Sequence, residues 1–317
     1  MRCKKCSQKA SLEIRRHRAA FCREHLLEHL QNQVARAIKK FRMFSLEERL
    51  LVAVSGGKDS LALWDMLLDM GYKVDGLYID LGIPEYSRSS RKKIRDFADP
   101  RGLLLHEVSL QDTYGVDIGY VAKKNKKAPC SVCGMLKRYV MNMVAEKNGY
   151  AAVATGHNLD DEAAVLLGNV LNWQTGYLQR QSPRLDERSG LARKVKPLYR
   201  LAERETAAYC LLRGISYIME ECPMSRGATS FLYKEVLNRL ESTSPGSKDR
   251  FLLGFLRTAP QLFSEDSSPE PVLDPCTRCG QPTTAGECSF CRQMSRAGLD
   301  PLALSLEDNI SNQDPGT

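Results

Sequence analysis

The run Leu50-Leu51-Val52-Ala53-Val54-Ser55-Gly56-Gly57-Lys58-Asp59-Ser60 limits the possible folds more than any other stretch of the chain. Leu50–Val54 is short and continuously apolar, the pattern of a strand buried on both faces. From Lys58 the pattern turns helical and runs to Met70, closed by Gly71. A strand that enters a helix through paired glycines can bring its backbone close to an anion, and the helix start offers free N–H groups to it. Ser55 and Ser60 add hydroxyl donors, and Asp59 is suited to holding a magnesium ion. The spacing G-x-x-x-x-G-K-S/T of a Walker A loop is absent. The plainer reading is a glycine turn without a ligand.

The alternation continues. Strands are expected at Val74–Ile79, Leu103–Val108 and Ala151–Ala154, with weaker signals near Val195 and at Ile215–Met219. Helices are expected at Glu24–Phe44, Ser87–Ala98, Cys133–Lys147, Leu159–Val170, Ala202–Leu212, Phe231–Leu240 and Lys248–Leu256, with loops at Gln181–Gly190 and Pro223–Ala228. Short apolar strands between helices predict an α/β fold, a parallel sheet with helices on both faces. Ser264–Pro275 reads as a linker, and the polar stretch after about Leu302 as disordered.

The chain has eleven cysteines and no apolar run of membrane-spanning length, and its N-terminus lacks the apolar region of a secretory signal. A cytoplasmic protein keeps thiols reduced, so paired cysteines there point to metal or redox chemistry. Cys3, Cys6, Cys22 and His25 form one four-ligand set, and Cys276, Cys279, Cys288 and Cys291 another. Both spacings suit closed, structural zinc sites in modules too small to fold without metal, although His17 or His29 competes with His25 for the last ligand position. Cys210 lies among Tyr209, Leu211 and Leu212 and reads as a core thiol. The net charge of +8, with basic clusters such as Lys123, Lys124, Lys126 and Lys127, fits a phosphate-backbone partner or solvated helix faces equally well.

Three further features sit inside the α/β region. Thr155-Gly156-His157-Asn158-Leu159-Asp160-Asp161-Glu162 follows the fourth strand; Gly156 permits close backbone approach, while the three carboxylates could be plain helix capping. Cys130 and Cys133 begin a helix, and the isolated Cys222 lies past a late strand signal. Three thiolates can hold a 4Fe–4S cluster with one iron left open; a persulfide with a resolving thiol, or a structural zinc, are the alternatives. Lys137 lies one helical turn beyond Cys133, as a site cation or a solvated lysine.

The S-G-G-x-D-S loop resembles that of the PP-loop ATP pyrophosphatases (the adenine nucleotide alpha hydrolase-like fold), and G-H-N-x-D-D resembles their TtcA/TtuA group. The order zinc module, glycine loop, Cys-x-x-Cys, G-H-N-x-D-D, single Cys and zinc module resembles the TtuA-type tRNA 2-thiouridine synthetases along nearly the whole chain. That resemblance implies ATP and Mg2+ bound by Val54, Ser55, Gly56, Gly57, Lys58, Asp59 and Ser60. Backbone at Ala53, Ile79 and Gly156 would lie near the nucleotide, and Asp80 would also face it. It implies a 4Fe–4S cluster on Cys130, Cys133 and Cys222, catalytic roles for Lys137 and Asp161, and two Zn2+ sites. The implied reaction is adenylation of a uridine C2 oxygen and replacement of that oxygen by sulfur, at 5-methyluridine 54 of tRNA. Wobble position 34 and a cluster-free persulfide route are the alternatives. The implied partners are tRNA, a ubiquitin-like sulfur carrier ending in a thiocarboxylate, and a second copy in a homodimer. The expected division is 1–28, zinc module; 29–225, PP-loop domain; 226–265, helical extension; 270–295, second zinc module; 296–317, disordered tail.

Overall fold

In the computed structural model, which describes residues 1–225, 227, 229–263 and 272–304, the chain opens with an antiparallel hairpin of β1 (Leu12–Ile14) and β2 (Ala19–Phe21). It runs directly into α1 (Arg23–Phe41), whose apolar stripe Leu26, Leu30, Val34, Ala37 and Ile38 is buried. The first module therefore leads straight into a helix whose apolar stripe joins the core.

The glycine run behaves as its pattern predicts. β3 (Arg49–Val54) leads to α2 (Lys58–Asp69), then β4 (Lys73–Asp80), α3 (Tyr86–Ala98) and β5 (Leu105–Ser109). Two helices absent from the sequence expectation follow, α4 (Leu110–Tyr114) and α5 (Ile118–Asn125), their N-termini capped by the side chains of Ser109 and Asp117. α6 (Pro129–Lys147) starts four residues earlier than expected, with proline in its first turn, so Cys130 belongs to the helix. β6 (Ala152–Thr155), α7 (Leu159–Leu171) and α8 (Thr175–Gln179) come next.

The expected loop 181–190 contains β7 (Arg184–Leu185), which pairs antiparallel with β8 (Arg193–Val195). After α9 (Glu203–Arg213), residues Ile215–Met219 form no strand, because β7 already occupies the sheet edge beyond β8. The segment instead lies on the glycine loop, where the Ile218 N–H donates to the Gly56 carbonyl at 2.8 Å. α10 (Thr229–Thr243) and α11 (Ser247–Leu262) pack on α7 and are longer than expected. The C-terminal module is a small ladder of β9 (Asp274–Pro275) and β10 (Pro282–Thr283) with α12 (Ser289–Arg296).

Residues 297–304, expected in the tail, pack against the fold. Ala297 and Leu304 are buried, and Asp300 caps a short 3-10 turn at Pro301–Ala303, because these residues complete the apolar face under α5 and α6. Most of the linker (264–271) and the rest of the tail (305–317) lie outside the described residues.

The main sheet has the order β5-β4-β3-β6-β8-β7, parallel except at β7. Chain direction along the sheet reverses at β3, so the β3–β6 boundary is a topological switch point, where open parallel sheets bind ligands at their carboxyl ends. Alternation along β3 divides the core. Leu50, Val52 and Val54 face α1, α2 and α9, whereas Leu51 faces α5 and α6. The two cysteine modules follow that division. Cys3, Ile14, Phe21 and Cys22 pack on the first face, and Cys276, Cys288 and Phe290 on the second.

Candidate active site and metal-binding modules

The glycine loop closes on itself. The Ser55 N–H donates to Ser60 Oγ at 3.1 Å, and Ser60 Oγ donates to the Gly57 carbonyl at 3.0 Å. Gly56 needs to be glycine twice over: its φ is +75°, and a Cβ there would sit 2.8 Å from the Ser90 carbonyl of α3. Gly156, past β6, meets the loop from the other side; a Cβ on it would lie 2.8 Å from the Ser60 nitrogen. The loop is thus clasped between α3 and the end of β6.

Above it opens a cavity of about 470 Å³ at the switch point. Ala53, Val54, Ser55, Asp59, Ser60, Ile79 and Gly156 line one part of it, and Cys130, Cys133, Lys137 and Cys222 the other. Gly56, Gly57 and Lys58 stand outside the lining. Lys58 Nζ turns away to Glu203 at 2.7 Å and to Asp59 at 3.1 Å. Asp80 also falls outside the lining; its carboxylate accepts from the Gly82 N–H and from Arg91.

Electrostatics separate the two acids beside the loop. Burial pushes the Asp59 carboxyl above the ordinary carboxylate value, against the pull of Lys58 and a hydrogen bond from Thr206. Burial acts on Asp161 in the same direction, but Lys234 and the Asn158 N–H outweigh it and hold Asp161 below the ordinary value. Asp161 is also the N3 residue of a capping box with Asn158, and it does not line the cavity. Asp160 and Glu162 are committed to Lys248 and Lys196.

The thiol half is built by α6 and the segment after Ile218. Cys130 Sγ donates to the Met224 carbonyl at 3.4 Å. Burial pushes the Cys133 thiol up, with Cys222 and Cys130 adding to the rise, while Lys137 opposes it. Sequence reasoning left out Tyr86, Ser87 and Ser90, which bring α3 to the cavity. Burial, together with Cys222 and Cys133 nearby, raises the Tyr86 phenol above its ordinary range. Cys210, as expected, is a core thiol, pushed up to about 12 by burial.

Each terminal module draws its four ligand atoms within 4.8 Å of one another. Cys6 and Cys22 Sγ are 3.7 Å apart, Cys276 and Cys291 3.9 Å, and Cys279 and Cys288 3.8 Å. A zinc–sulfur bond of about 2.3 Å places tetrahedral sulfurs about 3.8 Å apart, so both donor sets fit a single zinc ion. His25 Nδ1 is the fourth donor at the N-terminal site, 3.2 Å from Cys22 Sγ; His17 and His29 turn to each other instead. Cys130, Cys133 and Cys222 are not drawn together in this way among the described residues. A single ion would need the shorter spacing. Three separated thiols in a common cavity suit the larger frame of an iron–sulfur cluster.

Fold, glycine loop and switch-point cavity define a PP-loop domain, and the family model of that description matches residues 26–227. A second model, described as the N-terminal LIM domain of 2-thiouridine synthetase TtuA, matches residues 2–27. The chain belongs to the family of PP-loop tRNA-5-methyluridine(54) 2-sulfurtransferases. The protein of that name from Thermus thermophilus is 53% identical, covering 92% of this chain and 90% of its own. The Pyrococcus horikoshii protein of that name is 43% identical, with 92% and 93% covered. Among solved structures, the U34-tRNA thiolase NcsA from Methanococcus maripaludis with its 4Fe–4S cluster matches with a TM-score of 0.76. It is 21% identical and the match covers 94% of this chain and 96% of that one, a likeness of fold.

Among the described residues no helix is long and apolar enough to cross a membrane.

Proposed function

We propose that this protein performs ATP-dependent 2-thiolation of 5-methyluridine 54 in tRNA. The observation that carries the reading is the single cavity in which the glycine loop, Gly156 and Lys137 face Cys130, Cys133 and Cys222. Relatives at 53% and 43% identity bear this activity in their names, whereas tRNA 2-thiolation proteins of other names are 28–29% identical. This favours position 54 over the wobble position.

The chemistry divides between the two halves. A uracil C2 carbonyl oxygen is a poor leaving group, so it first attacks the α-phosphorus of ATP and expels pyrophosphate. Loop N–H groups with Ser55 and Ser60 hold the β- and γ-phosphates, and Asp59 holds Mg2+. Hydrosulfide then adds to C2, its proton is lost, and AMP departs with the former carbonyl oxygen. Lys137, between thiols and loop, places a cation beside the charge that develops on the uracil and the phosphate. Asp161 acts from outside the cavity, fixing the charge balance of Asp59 and Lys234. Cys130, Cys133 and Cys222 would hold a 4Fe–4S cluster, which when bound supplies an iron without a protein ligand as a docking point for sulfide. The two terminal modules would carry zinc. A thiocarboxylate carrier as sulfur donor, a homodimer and a cytoplasmic setting complete the proposal.

The test is anaerobic reconstitution with iron, sulfide and ATP on tRNA that carries 5-methyluridine 54, followed by nucleoside mass spectrometry. One 2-thionucleoside per AMP is expected. Cys222→Ser should lose iron and thiolation and keep ATP binding; full thiolation by that variant would sink the assignment, including the cluster.

A further inference from the structure

The entry to α3 is bent in a way its own residues do not need. Glu85 has φ +56° and ψ −47°, and across it the Tyr86 N–H donates to the Pro84 carbonyl at 2.5 Å. This is a γ-turn of the rare positive-φ kind, strained for any residue with a Cβ. Glu85 gains little from it, since its carboxylate makes only an exposed ion pair with Arg88. Strain of this kind persists where surrounding structure enforces it and gathers at functional sites.

The surroundings enforce it here. Tyr78 OH donates to the Ser87 carbonyl at 3.0 Å, and the Ile83 N–H donates to Ser87 Oγ at 3.1 Å, which pins the first turn of α3 to β4. One turn later Ser90 lies against Gly56 of the glycine loop. With both ends fixed, Tyr86 is held over the cavity and packs in the same apolar cluster as Cys133 and Cys222. A second hydroxyl of that helix face adjoins it: Ser90 is 1% exposed, lines the cavity, and sits close enough to the Tyr86 phenol to oppose the rise of its pKa. Two hydroxyls, one helical turn apart, thus face a space bounded by thiols on one side and the glycine loop on the other.

We infer that Tyr86 is a positioning residue for sulfur transfer, its phenol donating a hydrogen bond to the sulfur held at the Cys133–Cys222 side of the cavity. The inference rests on the thiolation reading. A phenol at neutral pH is a donor and a sulfur anion an acceptor; the other phenol in the lining, Tyr78 of β4, already spends its proton on the Ser87 carbonyl. Such a bond would fix the direction in which sulfur faces C2 of the uracil. It would also stabilise the more negative form of a cluster and so raise its potential.

Tyr86→Phe keeps the ring and removes only the donor. Wild-type and Y86F protein, both reconstituted anaerobically, would be compared in iron content, ATP affinity, midpoint potential and single-turnover sulfur transfer. Expected are equal iron and ATP affinity, a lower potential, and transfer slowed by about ten- to a hundredfold, the scale of one hydrogen bond to an anion. Wild-type potential and transfer rate in Y86F would overturn the inference and leave the thiolation reading intact. A wild-type protein that takes up no iron and thiolates no tRNA would bring down both.

Discussion

A Cβ on Gly156 would lie 2.8 Å from the backbone nitrogen of Ser60, so the turn after β6 and the glycine loop after β3 touch through bare backbone. Their strands are neighbours in the sheet, with Ala53 in register with Thr155. Gly156→Ala should therefore force the loop away from its position, at about 1–3 kcal/mol for an overpacked contact. The expected result is at least a tenfold loss of ATP affinity by calorimetry, with iron loading retained. Unchanged ATP affinity would show that the loop can yield.

Asp59 sets stability against function. Its carboxyl is raised by burial, so the folded state favours the protonated form, and the associated stability is present below the ordinary carboxylate value and lost as pH rises through the raised value. Metal binding has the opposite need. Asp59→Asn should keep the contact to Thr206, raise the melting temperature by a degree or more, and abolish Mg2+-dependent ATP binding. A less stable variant that still binds ATP with Mg2+ would contradict both halves.

Asp161 has the reverse sign. Lys234 and the Asn158 N–H hold its pKa down, so it stabilises the fold above the ordinary carboxylate value, and the contribution is lost as pH falls through the lowered one. Lys234→Met should leave burial unopposed by that cation. The acid-unfolding midpoint, followed by circular dichroism, should move to higher pH, with a loss of about 1–2 kcal/mol at neutral pH.

The two modules should fail differently. Phe290 stacks on Tyr139 of α6 with ring centroids 3.6 Å apart, and Asn142 of α6 donates to Gln281. The N-terminal module instead holds α9 through Arg16 and Glu205. Cys276→Ser should therefore lower iron uptake as well as zinc content, because α6 carries Cys130 and Cys133. Cys3→Ser should lose zinc and melt at lower temperature, yet load iron normally. Metal analysis of the two purified variants, each loaded anaerobically, separates these outcomes; equal iron in both would show that α6 does not depend on its brace.

The glycine loop was readable in the sequence because its signal is local: strand, glycines and helix follow one another without a break. The two four-ligand sets were readable for the same reason, by spacing. Reading Cys222 with Cys130 and Cys133 depended on resemblance, since no periodicity relates residues so far apart. Lys58 shows the limit. The resemblance put it among the nucleotide-binding residues, and nothing in the local sequence announces that Glu203, on a helix far along the chain, pairs with its ammonium. α5 was missed because its lysines stood out only as a basic cluster, while its buried side, Ile118, Val121 and Ala122, is covered by α12 from the far end of the chain. Tyr86 carries no pattern that marks it; a backbone turn places it, and single residues do not announce φ.

Phe290 has a consequence for biosynthesis. The ribosome makes the helix bearing Cys130 and Cys133 long before the ring that closes over Tyr139. Until that ring arrives, the wall behind these thiols is open to water on its apolar side. On the reading proposed above, iron delivered before that ring is made would meet an unfinished surface.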